Sequence, residues 1–161
     1  MSQKIKSLTE LEKAIQELKS KGKKIIATNG CFDILHTAHL HVLESSKALG
    51  DVLIVLINSD ASVKSYKGDS RPIIPEQERA EMLSALACVD YVAIFQEATP
   101  LAALKIIKPD ILAKGGAFIP ERIKAEKELL ASWGGKLVTF PLENGYSTTS
   151  IINKILETYK K

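Results

Sequence analysis

Five short apolar runs constrain the fold of this chain more than any other feature. Each run is rich in Ile and Val, is short enough for one strand, and is continuous rather than alternating with polar residues. Continuous apolar runs are typical of strands in a sheet that is covered on both faces. They lie at residues 24–29, 52–58, 91–95, 110–115 and 136–140.

Helical patterns separate these runs, and another precedes them. The opening helix is predicted from Leu8 to Lys19, with Ser7 or Thr9 as its cap. The other helices are predicted at 37–49, 76–87, 99–107, 121–132 and 148–159, the third with Thr99 as cap and Pro100 at the first helical position. The alternation predicts an α/β fold: a Rossmann-like, doubly wound, parallel five-stranded sheet in a three-layer α/β/α arrangement. We expect one domain over residues 1–161, in which residues 1–21 precede the core.

Composition excludes several classes of protein. The 161 residues are 45% hydrophobic and 25% charged, as in an ordinary globular domain. The net charge of +3, with dispersed lysines, argues against a nucleic-acid surface but suits a small anionic substrate. Cys31 and Cys88 lack metal or redox spacing. Because we find neither a signal-peptide core nor a membrane-spanning run, we predict a cytoplasmic protein without membrane or nucleic-acid partners.

The segment "NGCFDILHTAH" (29–39) follows the first predicted strand. In sheets of this class, ligands bind beyond the carboxyl ends of the strands, where strand order reverses. Gly30 would let a ligand approach the backbone, and the following helix start would attract phosphate. His36 and His39, three positions apart, would lie on one face of a helical turn. Two imidazole donors there can hold phosphoryl oxygens and stabilise the charge of phosphoryl transfer.

Other interpretations of this segment remain open at this point. In one alternative the histidines are ordinary surface or core residues. In another they bind a metal ion, although no third metal ligand stands out nearby in the sequence. His41 lies off their shared face, which suits a structural or exposed residue. Asp33 would orient a histidine or, as the favoured interpretation, anchor the loop, and Asp60 would cap a helix after the second strand. Neither a phosphate loop, G-x-x-x-x-G-K-[ST], nor the fingerprint G-x-G-x-x-G follows the first strand.

The segment "TNGCFDILHTAH" resembles the signature of the cytidylyltransferase-like nucleotidyltransferases, whose usual form is H-x-G-H. Three further segments are similar, in order and spacing, to those of the adenylyltransferases that make ADP-heptose: "NSDASVKSYKGDSRPIIPEQERAEMLSAL" (58–86), "PDILAKGG" (109–116) and "YSTTSIINKI" (146–155). The resemblance covers roughly residues 22–156. It implies transfer of AMP from ATP to D-glycero-β-D-manno-heptose 1-phosphate, with release of pyrophosphate. It also implies Mg²⁺ held mainly by phosphates, without protein side chains as confident metal ligands.

The resemblance implies a role for each matching residue. Nucleotide-binding residues would be Thr28, Asn29, Gly30, Cys31, Phe32, His36, His39, Lys114, Gly115, Gly116, Ser147, Thr148 and Thr149. Catalytic residues would be His36, His39, Lys67 and Arg79. Substrate-binding residues would be Asp33, Asp60, Lys67, Arg71 and Arg79. From the residues alone, "STT" (147–149) is also a plain helix cap, "KGDSRP" (67–72) a solvated loop, "KGG" (114–116) a plain turn, and Arg79 a partner of Glu76 or Glu78.

Two departures from the family pattern leave the acceptor open. Ala38 stands where the signature has glycine, and Ala117 with Phe118 replaces an Asp-Tyr pair that usually follows "KGG" in heptose enzymes. The alternatives are a cytidylyltransferase for glycerol 3-phosphate or a related alcohol phosphate, and a nucleotide-binding module that has lost catalysis. Family members often form homodimers, which we expect here. The chain has no room for the sugar-kinase domain fused in bifunctional relatives, so a separate sugar kinase would act upstream.

Overall fold

The computed structural model describes residues 2–116, 120–141 and 146–160, apart from the side chain of Arg122. Helices and strands alternate through this part of the chain. The order is α1 (Leu8–Ser20), β1 (Ile25–Gly30), α2 (Thr37–Lys47), β2 (Val52–Asn58), α3 (Asp60–Lys67), α4 (Glu76–Ser84), β3 (Tyr91–Phe95), α5 (Leu101–Ile107), β4 (Ile111–Gly115), α6 (Pro120–Ala131), β5 (Lys136–Phe140) and α7 (Thr148–Tyr159).

The five strands form one parallel sheet in the order β3-β2-β1-β4-β5. The chain builds outward from β1 to β3 and then returns to the other side of β1. The strand order therefore reverses between β1 and β4, and a crevice at their carboxyl ends is the expected ligand site of such a sheet. The predicted parallel five-stranded fold is confirmed.

Each face of the sheet is covered by its own apolar core. Ile25 and Ala27 of β1 pack with residues of α1, α5 and α6, whereas Ile26 packs with residues of α2 and α4 on the opposite face. Successive side chains of a strand point to opposite faces, so a strand covered on both sides needs apolar residues at every position. This two-sided burial explains the continuous runs in the sequence.

The helix starts decide between two predicted caps for α1 and correct two other details of the sequence interpretation. Ser7, rather than Thr9, caps α1 through a reciprocal capping box with Glu10. The helix after β2 is capped by Ser59, whose side chain accepts from Ser62 N, so the prediction that Asp60 is the cap was wrong. The Thr99 cap was also wrong, because α5 begins at Leu101 with Pro100 in the cap position. Among the described residues, no helix is both long enough and apolar enough to cross a membrane.

Candidate active site

A cleft opens at the carboxyl ends of β1 and β4, where the strand order reverses. It consists of two adjoining cavities, the larger lobe of about 370 Å³ and the smaller lobe of about 250 Å³. Five residues line both lobes: His39, Val42, Lys67, Gly115 and Thr148. These shared walls make the lobes one continuous site.

The two histidines begin α2 and stack on each other. His36 is the N-cap residue and makes no side-chain capping hydrogen bond. The ring centroids of His36 and His39 are 3.8 Å apart with an interplanar angle of 21°, and the Phe32 ring lies 5.1 Å from that of His39. Burial, together with the nearby charges of His36 and Lys67, lowers the pKa of His39 to about 4. His39 is therefore neutral at pH 7.

Two buried polar atoms in the larger lobe are suited to meet a ligand. Among the described residues, neither Asn29 Oδ1 nor His39 Nδ1 has a hydrogen-bond partner, and both residues line this lobe. Buried polar atoms without partners cost free energy, so a ligand that supplies the partner gains that energy back. Burial also raises the pKa of the Cys31 thiol at this wall. Cys31 is thus protonated at neutral pH and does not provide a thiolate nucleophile.

Two helix N-termini meet at the smaller lobe. Ala38 in the first turn of α2 lines it, as do Ser147, Thr148 and Thr149 at the start of α7. Ser147 is the N-cap of α7 and accepts from Ser150 N at 3.0 Å, which confirms the helix-cap interpretation of "STT". Thr148 Oγ1 donates to Ile34 O in the β1–α2 loop at 3.5 Å. Helix N-termini attract anions through their N–H groups and dipoles, so capping and phosphate binding are compatible here.

Arg71 lines the smaller lobe and is oriented by a buried carboxylate. Its Nε donates to Asp33 Oδ2 at 2.6 Å, and its side chain is 13% exposed. Asp33, 1% exposed, also accepts from the backbone N–H groups of Ile73 and Ile74 at 2.8 and 3.0 Å. Asp33 thus anchors the 71–74 loop and orients an arginine rather than a histidine. Asp33 also lines the larger lobe, and its predicted contact with the substrate stays a prediction.

Arg79 does not occupy the place that the sequence predicted. Its side chain is fully buried, lines neither lobe, and does not pair with Glu76 or Glu78. Its three nitrogens donate to Ile74 O, Cys31 O and Asp60 Oδ1 at 2.9, 2.6 and 2.6 Å. Arg79 therefore ties α4 to the β1–α2 loop. Asp60, its carboxylate partner, stands behind the cleft and not in it.

The remaining predicted residues line the cleft in different ways. Lys67 ends α3, is exposed, and borders both lobes. Thr28, Gly30 and Cys31 line the larger lobe, and Gly116 lines the smaller one.

Gly115 has a packing reason of its own. A Cβ there would lie 2.2 Å from Val42 Cγ2, so only glycine lets α2 sit this close to β4. The close approach that the sequence indicated is thus made by a helix.

The structure also brings in residues that the sequence did not single out. Glu126 of α6 is 1% exposed and lines the larger lobe, where both its oxygens lie 2.6 Å from Lys114 Nζ. Nothing in the sequence distinguishes this glutamate from its neighbours on the helix. Asn58 also lines this lobe, and its position at the carboxyl end of β2, next to β1, was the available signal. Ala117 and Phe118 lie outside the described residues.

The donor set of the cleft suits phosphates better than a protein-bound metal. Within residues 2–116, 120–141 and 146–160, no group of three or more His, Cys, Asp or Glu side chains could hold a metal ion. The smaller lobe instead offers Lys67, Arg71 and two helix N-termini. These groups can bind phosphate oxygens directly, so a cation entering with the nucleotide would be held through the phosphates.

This parallel α/β fold, with helix N-termini and cations at its strand-order reversal, defines a nucleotide-binding domain of Rossmann-like architecture. The model of the family described as cytidylyltransferase-like matches residues 27–154, and the chain belongs to this family of nucleotidyltransferases.

Similar proteins include the bifunctional protein HldE of Pelobacter propionicus, 49% identical over 156 residues, which are 97% of this chain and 32% of the relative. HldE of Helicobacter pylori is 49% identical over 151 residues, covering 92% and 31%. The chain therefore spans about a third of the length of these relatives.

Two solved structures are also similar. The lipopolysaccharide core biosynthesis protein of Thermoplasma volcanium has a TM-score of 0.60 and 27% identity, covering 78% of this chain and 100% of that one. The pantoate-beta-alanine ligase of Francisella tularensis, complexed with beta-gamma ATP and beta-alanine, has a TM-score of 0.64 and 18% identity, covering 95% and 77%. The second similarity shows the shared fold alone.

Proposed function

We propose that this protein transfers AMP from ATP to D-glycero-β-D-manno-heptose 1-phosphate, giving ADP-heptose and pyrophosphate. One observation carries the proposal: the starts of α2 and α7, with Lys67 and Arg71, surround a single lobe of the cleft. Four cationic or dipolar groups around one lobe suit a chain of phosphates. The ordered motifs and the similarity to HldE proteins support heptose 1-phosphate as the acceptor.

The reaction needs positioning and charge stabilisation rather than a covalent intermediate. An oxygen of the sugar phosphate attacks the α-phosphorus of ATP, and the bond from that phosphorus to the β-phosphate bridging oxygen breaks. Pyrophosphate leaves with the electron pair of that bond. In this proposal His36 and His39 bind the phosphate oxygens and stabilise the charge of the transition state. Lys67, Arg71 and the hydroxyls of Thr148 and Thr149 hold the departing phosphates.

Magnesium completes the proposal as an ion carried on the phosphates, where it neutralises part of their charge. The protein side chains of the smaller lobe would then bind phosphate oxygens that are not bound to the ion. A homodimer and a separate sugar kinase belong to the proposal as well. Size-exclusion chromatography with light scattering tests the first. Formation of a sugar 1-phosphate from the heptose and ATP, in a lysate that lacks this protein, tests the second.

The test of the reaction is pyrophosphate release with Mg²⁺, crossing ATP and CTP against heptose 1-phosphate and glycerol 3-phosphate. We expect release with ATP and heptose 1-phosphate only. Release with CTP and glycerol 3-phosphate would mean that these two compounds, and not ATP and heptose 1-phosphate, are the substrates. Silence in every combination, from protein that binds ATP, would instead support a module that has lost catalysis.

The histidines are tested in the same assay. Because they are proposed to act on the transition state, His36→Ala or His39→Ala should lower kcat by about 10²-fold or more, with a smaller change in ATP affinity. His41→Ala is the matched control, since His41 is an exposed histidine of the same helix. Equal losses of kcat and affinity would contradict the transition-state role.

A further inference from the structure

We propose that Lys114 and Glu126 form a specificity-determining pair that binds two neighbouring hydroxyl groups of a sugar ring in the larger lobe. This inference rests on the proposed function and assigns a ligand group to two residues that line the larger lobe and not the smaller one. Lys114 lies in β4 and Glu126 in α6, and both line the larger lobe.

The two side chains hold each other in one geometry. Lys114 Nζ lies 2.6 Å from both carboxylate oxygens of Glu126. The side chain of Glu126 is 2% exposed and that of Lys114 is 14% exposed. The pair is thus largely buried in the wall, and both residues border the cavity. A charged pair held this rigidly is prepared to meet a ligand without further ordering.

Stability alone does not account for a pair in this position. Burying two charges costs desolvation free energy, and apolar side chains of similar volume are often equally stabilising or more so. The surrounding wall could accept them, because Val42, Pro100 and Ile123 line the same lobe. A charged pair on the wall of a substrate cleft is therefore explained better by recognition than by folding.

The charges of the two lobes differ, and this difference selects the ligand group. The described lining of the smaller lobe includes Lys67 and Arg71 and no carboxylate. The larger lobe has two carboxylates, Asp33 and Glu126, beside Lys67 and Lys114. There the carboxylate of Glu126 neutralises Lys114 and would repel a phosphate. Two neighbouring hydroxyls fit this pair, since one can donate to the carboxylate while the other accepts from the ammonium group.

Two parts of the substrates carry such hydroxyls: the ribose of ATP and the ring of the acceptor sugar. The test uses Glu126→Gln, which keeps the shape of the side chain and removes its charge. Glu128→Gln is the matched control, since Glu128 lies on the same helix in an exposed pair with Lys124, with side chains 68% and 79% exposed. Calorimetry gives the Kd of ATP and of 2′,3′-dideoxy-ATP with Mg²⁺, and pyrophosphate release gives KM and kcat for heptose 1-phosphate.

If the ribose is bound, Glu126→Gln should weaken ATP about tenfold and leave dideoxy-ATP unchanged, because a hydrogen bond to a charged group is lost. If the acceptor is bound, KM should rise about tenfold with kcat and ATP affinity retained. Unchanged Kd and KM would overturn the proposal, and so would equal weakening of both nucleotides with KM unchanged.

If Glu126→Gln does not fold, the double variant Lys114→Met with Glu126→Met replaces it. The same changes in Kd and KM then support or overturn the proposal. Failure of the proposed function is separately visible, as absence of pyrophosphate release by the unsubstituted protein. Calorimetry then decides alone: a tenfold loss confined to ATP supports the pair, and equal behaviour of the two nucleotides overturns it.

Discussion

Arg71 and Arg79 lie on one segment between β2 and β3, yet the structure uses them in opposite ways. All three nitrogens of Arg79 donate to groups of the protein itself, and its side chain has no exposure. Arg71 gives its Nε to Asp33 and lies on the wall of the smaller lobe. A cation satisfied by the protein stabilises the fold, whereas one that is oriented but borders a cavity is available to a ligand. The same residue type therefore supports the site in one case and belongs to it in the other.

The largest effect should come from removing the satisfied arginine. Arg79→Met leaves Asp60 without its cation and two backbone oxygens without donors, so the free energy of unfolding should fall by about 3–5 kcal/mol. Urea denaturation followed by circular dichroism measures this loss. A variant as stable as the unsubstituted protein would mean that Arg79 contributes nothing net to the fold.

Arg71→Gln should separate binding from folding. The glutamine amide can still donate to Asp33, so we expect a stability loss of only about 1 kcal/mol. The affinity for ATP should fall by roughly ten- to a hundredfold, because a charged contact to phosphate is lost. Isothermal calorimetry measures the affinity and urea denaturation the stability. Unchanged ATP affinity would place Arg71 with Arg79 among the structural arginines.

His39 combines features of both arginines, since it is half-buried by the protein but lines the cleft. Its pKa falls from the ordinary value near 6.5 to about 4 in the folded protein. Between these values the unfolded chain binds a proton and the folded chain does not, so stability is lost as the pH falls below about 6.5. After allowance for partial exposure, we expect a loss of about 1–2 kcal/mol between pH 7.5 and pH 5.

Urea denaturation at the two pH values measures this loss. His39→Gln should remove most of the pH dependence, while His41→Gln, at an exposed position of the same helix, should retain it. The same dependence in all three proteins would show that His39 does not titrate as the structure indicates.

The elements of the fold were predictable because their signal is local. The five apolar runs and the helical spacings between them predicted the parallel sheet, and the rule for carboxyl ends indicated the crevice beside β1. A helix after β2 was expected, with Asp60 as its cap, but its extent was not predicted, because the eight residues "DASVKSYK" carry only Ser62 and Val63 as buried positions. A helix of two turns leaves too few apolar residues for a period to be recognised.

The side chains of the site were harder to predict for a different reason. Arg79, Arg71 and Lys67 are all cations of one segment, and their roles depend on the carboxylates they meet: Arg71 pairs with the buried Asp33 of the β1–α2 loop and Arg79 with Asp60 of α3. The role of Glu126 likewise follows from its contact with Lys114 of β4, and its neighbours in sequence do not predict it. Contacts of this kind come from tertiary packing, and the spacing of residues within a short stretch of sequence does not predict them.

The placement of β4 beside β1 has a consequence for how the protein acquires its activity. The pairing of Ile25 with Val52 closes a short stretch of chain, but Ile26 meets Ile111 only after β2, β3 and their helices have been made. The entropic cost of closing a loop grows with its length, and distant pairings slow folding. One wall of the cleft comes from β1 and the other from β4. A chain that emerges from the ribosome therefore has its histidines long before it has a place to bind nucleotide, and half-made copies should not sequester ATP.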